Sequence, residues 1–134
     1  MSAIIFHHAK QADDAMAFAA ASRPITLLTA PGAAAYGGPG FYLAMVELAQ
    51  QSHPKAAVRA ILDCGDDGAM AQMALQLGWR GVVLRGKAAV REKVCQIAET
   101  YGADVLARPP KAVDPGPELT DLKEFLSTRF GISY

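Results

Sequence analysis

The run Asp63-Cys64-Gly65-Asp66-Asp67 puts three carboxylates and a thiol within five residues. Carboxylates so close together could hold Mg²⁺ or supply a general base. Asp66 or Asp67 also suits the N-cap of a following helix, where a side-chain oxygen satisfies free backbone N–H groups. Asp63 ends an apolar run, and a carboxylate ending a buried strand needs a partner or a ligand. Cys64 stands at a helix N-terminus, where a thiol pKa falls. Without a neighbouring base, a bland buried thiol is the simpler reading. His7-His8 closes the first apolar run. Adjacent strand residues point to opposite faces, so only one of them can serve a site, and His7 joins Asp63 and Cys64 as a weak catalytic candidate.

A second constellation is made of glycines and cations. The junction Thr29-Ala-Pro-Gly-Ala-Ala-Ala-Tyr-Gly-Gly-Pro-Gly40 links an apolar run to a helical one. A strand that runs through glycines into a helix N-terminus makes an anion cradle, because backbone N–H groups and the positive dipole end converge. Gly32, Tyr36, Gly37 and Gly38 are its candidate lining. The spacing is neither G-x-G-x-x-G nor a Walker A, so no dinucleotide signature is present and the glycines serve equally well for a tight turn or a subunit contact. Arg85, Lys87 and Arg108 follow the fourth and fifth apolar runs and supply positive charge for a phosphate or carboxylate. With His53 as the only other histidine, no transition-metal set is recognisable. The cofactor, if any, is unknown.

Positioning these residues requires alternating elements. Short β-like runs at Ala3–His7, Ile25–Thr29, Ala57–Asp63, Gly81–Arg85 and Ala103–Ala107 alternate with helical runs at Gln11–Ser22, Phe41–Gln51, 68–77 and Lys87–Tyr101. Such alternation implies right-handed βαβ crossovers and a parallel sheet. The expected fold is α/β, a single open parallel sheet of about five strands with helices on both faces, flavodoxin-like or Rossmann-like and three-layered, plus a C-terminal helix. In such sheets ligands bind beyond the strand carboxyl ends. Residues 1–108 form the α/β domain. Residues 109–134 comprise a Pro-rich segment and a helix, Glu118–Arg129, that packs on the same domain or on a partner subunit.

The 134 residues suffice for one domain with its own core. Thirteen basic residues balance thirteen acidic ones without a block of either sign, which argues against nucleic acid and membrane surfaces as partners. The start, Met-Ser-Ala-Ile-Ile-Phe-His-His, reads as a strand and not a signal peptide, and two cysteines fit a reducing cytoplasm. Between Pro24 and Pro54 the one charged residue is Glu47. Six Gly and Pro residues interrupt that stretch too often for a membrane span, which needs roughly 20 unbroken apolar residues. The helix Phe41–Gln51 is apolar nearly all round, which implies contact on two sides and a homo-oligomer, most simply a two-fold dimer.

Pro24-Ile-Thr-Leu-Leu-Thr-Ala-Pro-Gly32 and Ile61-Leu-Asp-Cys64 resemble small uncharacterised bacterial α/β proteins, a likeness that implies the fold and no activity. The unit Ile61–Gly86 is similar to (β/α)-barrel units, although five units cannot close an eight-stranded barrel and no Schiff-base lysine lies within a strand. In βα spacing it also resembles receiver domains. Their acid pair is replaced here by His7-His8 and their Lys-Pro by Arg108-Pro109, leaving only Asp63 in the phosphoacceptor place. The expectation is therefore a protein that binds a small anionic metabolite at its strand carboxyl ends. The alternatives are a non-catalytic oligomerisation or protein-interaction module, and a small lyase or hydrolase using Asp63 or Cys64.

Overall fold

A computed structural model describes residues 2–131. Its elements are β1 (Ser2–Phe6), α1 (Ala9–Ala21), β2 (Ile25–Thr29), α2 (Ala34–Gly37), α3 (Pro39–Ser52), β3 (Val58–Asp63), α4 (Gly68–Leu77), β4 (Gly81–Val83), α5 (Ala88–Tyr101), β5 (Asp104–Leu106) and α6 (Lys123–Phe130). The fold is α/β: one sheet of five parallel strands, with helices between them and a further helix at the C-terminus. The strand order, β1-β2-β3-β4-β5, is sequential. No reversal point opens a crevice, so a site at the carboxyl edge must be built on the strand ends themselves.

Strand alternation sorts the core into two sides. Ile4, Phe6, Ile25, Leu27, Leu62, Val82 and Leu84 point into the main core beneath the helices. The helices lie side by side, α1 against α3, α3 against α4 and α4 against α5. Leu28, Ile61 and Val83 form a second cluster on the opposite face, flanked by Ile5 and Leu106. What closes this face is the Pro-rich stretch after β5. Ala112 packs on the cluster, and Val113 makes a parallel bridge with Ile4, donating to the Ala3 carbonyl at 3.0 Å and accepting from Ile5 N–H at 2.9 Å. Helices, sheet and this strap make three layers.

The strap is nearly taut. It leaves β5 at Leu106 and must pass five strand spacings, about 24 Å along a flat sheet. Seven residues reach about 23 Å when extended. The crossing needs near-full extension and a sheet that curls toward it, and Pro109-Pro110 favours the extended backbone that spans it. Beyond the strap, α6 packs on α1 of its own chain: Leu122 and Leu126 are fully buried, and the Phe130 ring meets Phe18 with centroids 5.6 Å apart.

Several element boundaries differ from the sequence reading. α1 starts at Ala9, two residues before Gln11, capped by the His8 side chain. Asp13 meets His53 at 3.1 Å, and Asp14 pairs with Lys10 along α1 and accepts from the Leu122 N–H. The Gly/Ala/Pro junction contains one helical turn, α2, and α3 begins two residues early at Pro39. α6 is shorter than expected, because Asp114-Pro-Gly-Pro117 and the following residues form turns. Among the described residues no helix is long and apolar enough to cross a membrane.

Candidate functional site

Asp63 is the centre of the carboxyl edge. By alternation it shares the strap-side face with Ile61, and Arg85 shares it with Val83. The Asp63 side chain is 1% exposed and fully engaged. The Arg85 guanidinium grips it in a fork, Nη1 donating to Oδ1 at 2.8 Å and Nη2 to Oδ2 at 2.7 Å. The backbone N–H groups of Gly32 and Gly65 each donate to Oδ1 at 3.0 Å. One carboxylate thus ties together the turns after β2 and β3 and the end of β4. The backbone supports it: Asp63 N–H donates to Thr29 Oγ1 at 2.9 Å, and Arg85 N–H donates to the Gly65 carbonyl.

The electrostatics follow from these contacts. Burial by itself pushes the Asp63 carboxyl up; the Arg85 hydrogen bonds, the two backbone donors and the guanidinium charge outweigh it and hold the carboxyl below the usual carboxylate range. A general base for neutral pH needs the opposite shift. Asp63 serves as an anchor between the turns after β2 and β3 and Arg85. Cys64 fails for a complementary reason. Its side chain joins the helix-side core, and burial, together with the charges of Asp63 and Asp67, pushes the thiol up to about 12. At neutral pH it stays protonated and shielded, so the helix N-terminus does not activate it.

The three carboxylates of this run do not converge. Asp67 caps α4, accepting from Met70 N–H at 3.0 Å, Asp66 is exposed, and Asp63 belongs to Arg85. Among the described residues no group of three or more His, Cys, Asp or Glu side chains is placed to hold a metal ion.

His7 lies just past β1. Its Nε2 meets Asp114 Oδ1 at 2.7 Å, while its backbone N–H donates to Gln11 Oε1. In the strand order it lies two strands from Asp63 and three from Arg85. Burial raises and the His7 contact, with the Gly116 N–H, lowers the Asp114 carboxyl, leaving it below its ordinary value. His8 Nδ1 accepts from Gln11 N–H and its Nε2 contacts the Leu119 carbonyl at 3.2 Å, an arrangement that suits the neutral tautomer protonated on Nε2. Both histidines fasten the segment that follows the strap. His7 thus has its side-chain partner in Asp114.

The expected lining separates into two groups. Gly32, Asp63 and Arg85 are in direct contact. Lys87 and Arg108 are exposed just past β4 and β5, and among the described residues neither side chain has an ion-pair partner. Tyr36, Gly37 and Gly38 belong elsewhere. Tyr36 is 87% exposed, Gly37 lies under the Phe41 ring, and Gly38 makes the bend between α2 and α3 at φ 84°. Gly37 and Gly38 thus serve the packing and the bend between α2 and α3, while Gly32 of the same junction donates to Asp63. Thr29, Gly65 and Asp114 are the contributors that residue types alone did not single out. Asp114-Pro-Gly carried a turn signal, but nothing local connects it to His7, 107 residues away.

A cavity of about 700 Å³ lies away from the strand ends. It lies in the open cleft between α4 and α5, beside Asp66, Gln72, Val90 and Lys93. Compared with known proteins, the chain matches no family model, and no curated protein is significantly similar to it. Fold and site together define an all-parallel α/β domain with a strapped second face and a buried Asp–Arg clamp at its carboxyl edge.

Proposed function

We propose that this protein binds a small anionic metabolite, without converting it, at the carboxyl ends of β3, β4 and β5. One observation carries the reading: a buried carboxylate holds Arg85 by both terminal nitrogens at the strand ends, while the Arg85 side chain keeps 37% of its surface open. Buried ion pairs contribute little net stability against apolar alternatives, so a fixed guanidinium direction is what the clamp supplies. The fork uses one proton on each terminal nitrogen and leaves Nε–H and the outer protons for a phosphate or carboxylate. Lys87 and Arg108 add charge on the same edge. The free thiols Cys64 and Cys95 suit a reducing cytoplasm.

The test is a thermal-shift screen of phosphorylated and carboxylated metabolites, followed by calorimetry. A bound anion raises the apparent Tm by mass action. The double variant Lys87→Ala, Arg108→Ala touches no buried contact and should weaken that binding about tenfold or more while leaving the unliganded Tm unchanged. An absence of hits, or hits indifferent to both cations, rules the reading out.

A further inference from the structure

We propose that the outer face of α2, α3 and α4 binds a second copy of this chain as a two-fold dimer. The helix α3 was expected to be covered on two sides, and its own fold covers only one. Met45, Val46 and Ala49 are buried, whereas Phe41 and Leu48, two turns apart, stay 56% and 62% exposed. Tyr36 on α2 is 87% exposed, and Met73 and Leu77 on α4 are 51% and 49% exposed.

These five side chains stand on three helices that contact one another in turn, α2 against α3 and α3 against α4. The Phe41 ring leans over Gly37, next to Tyr36, so closely that a Cβ there would lie 2.6 Å from it. On the other side Gly40 faces α4, with the Leu77 Cδ1 4.0 Å from its Cβ position. Met73 stands one turn before Leu77. The patch is thus continuous from α2 across α3 to α4.

Its size and charge select the occupant. Large side chains present about 150–250 Å² each, so the patch exposes roughly 500 Å² of apolar surface, at the upper range for a monomer. A standard interface buries about 800 Å² per partner, and homodimer interfaces are about 65% apolar. The apolar area present matches that requirement. A two-fold contact also demands a patch that tolerates its own image. Between Pro24 and Pro54 the one charged residue is Glu47, and the whole chain has no net charge to repel a copy. A lipid surface would call for Lys or Arg beside the apolar stripe. That stretch has neither.

Sedimentation velocity on the full chain at 1–100 μM (order-of-magnitude range for interfaces of this size) tests the proposal. Twice the monomer mass is expected. Leu48→Glu places two like charges in the contact and should weaken the dimer roughly 100-fold or more. Met73→Lys provides a second variant on another helix, with circular dichroism checking that each keeps the wild-type fold. A wild-type monomer across this range overturns the proposal, as does a dimer that survives both folded variants, since its contact then lies on another face. A monomer that captures some other protein through this patch overturns it equally.

Discussion

Asp63 shows how far a single residue can be read. A carboxylate at the end of an apolar run must be compensated, and in the fold it is, by four hydrogen bonds. What no local pattern reveals is that the partner is Arg85, because that depends on β3 and β4 lying side by side. The pair should behave as a unit. Asp63→Asn should cost about 2–3 kcal/mol, below the range for fully buried pairs because Arg85 is partly open, and Arg85→Met at least as much, since it strands a buried carboxylate. In urea denaturation the double variant should lose clearly less than the two single losses combined. The pH dependence has a definite sign. Because the folded carboxyl is held below the usual range, its contribution is complete above about pH 4 to 5 and is lost as the pH falls through the folded value. The stability gap between wild type and Asp63→Asn should therefore narrow toward pH 2; a constant gap would show that the charge of Asp63 is not what stabilises the edge.

At the scale of elements, the glycines divide by function. Gly78 and Gly102 end α4 and α5, at φ 120° and 65°. Gly81 has a role that periodicity could not expose. It lies on the strap-side face of β4, where Ile61 fills the space a side chain would take and Arg59 of β3 reaches Asp104 of β5 at 3.1 Å across β4. A Cβ at Gly81 would stand 3.1 Å from the buried Ile61 Cγ1 and 3.5 Å from the Ala60 carbonyl oxygen. Gly81→Val should accordingly destabilise the fold by about 1–3 kcal/mol, despite the better strand propensity of valine. An unchanged urea midpoint would mean that β3 and β4 have room to part. The five strands and four interstrand helices were legible from the alternation of periods. The turn α2 was not, because a single helical turn leaves too short a pattern.

At the scale of the whole molecule, the strap decides whether the sheet is covered. Leu28, Ile61 and Val83 are 3%, 0% and 0% exposed, on the face away from the interstrand helices. Ending the chain after Ala107 removes Ala112, Val113 and α6, and so opens this face together with the Phe18 side of α1. The truncated chain should fail to fold cooperatively, with increased binding of a hydrophobic dye and no sharp thermal transition. A sharp transition near the wild-type Tm would show that the strap is dispensable.

The sequence by itself determined the class of fold, the approximate places of strands and interstrand helices, a cap at Asp66 or Asp67 and the need of Asp63 for a partner. All of these depend on periodicity, turn chemistry or the cost of burying charge, which act over a few residues. Only the tertiary structure decided the strand order, the Asp63–Arg85 clamp, the use of His7 and His8 to hold the chain after the strap, and the outward direction of Tyr36, Phe41 and Leu48. These depend on which distant segments meet. The glycine-rich junction marks the division: its composition admits an anion cradle and a packing turn alike, and the choice falls to α3 and α4, whose side chains occupy the space beside it.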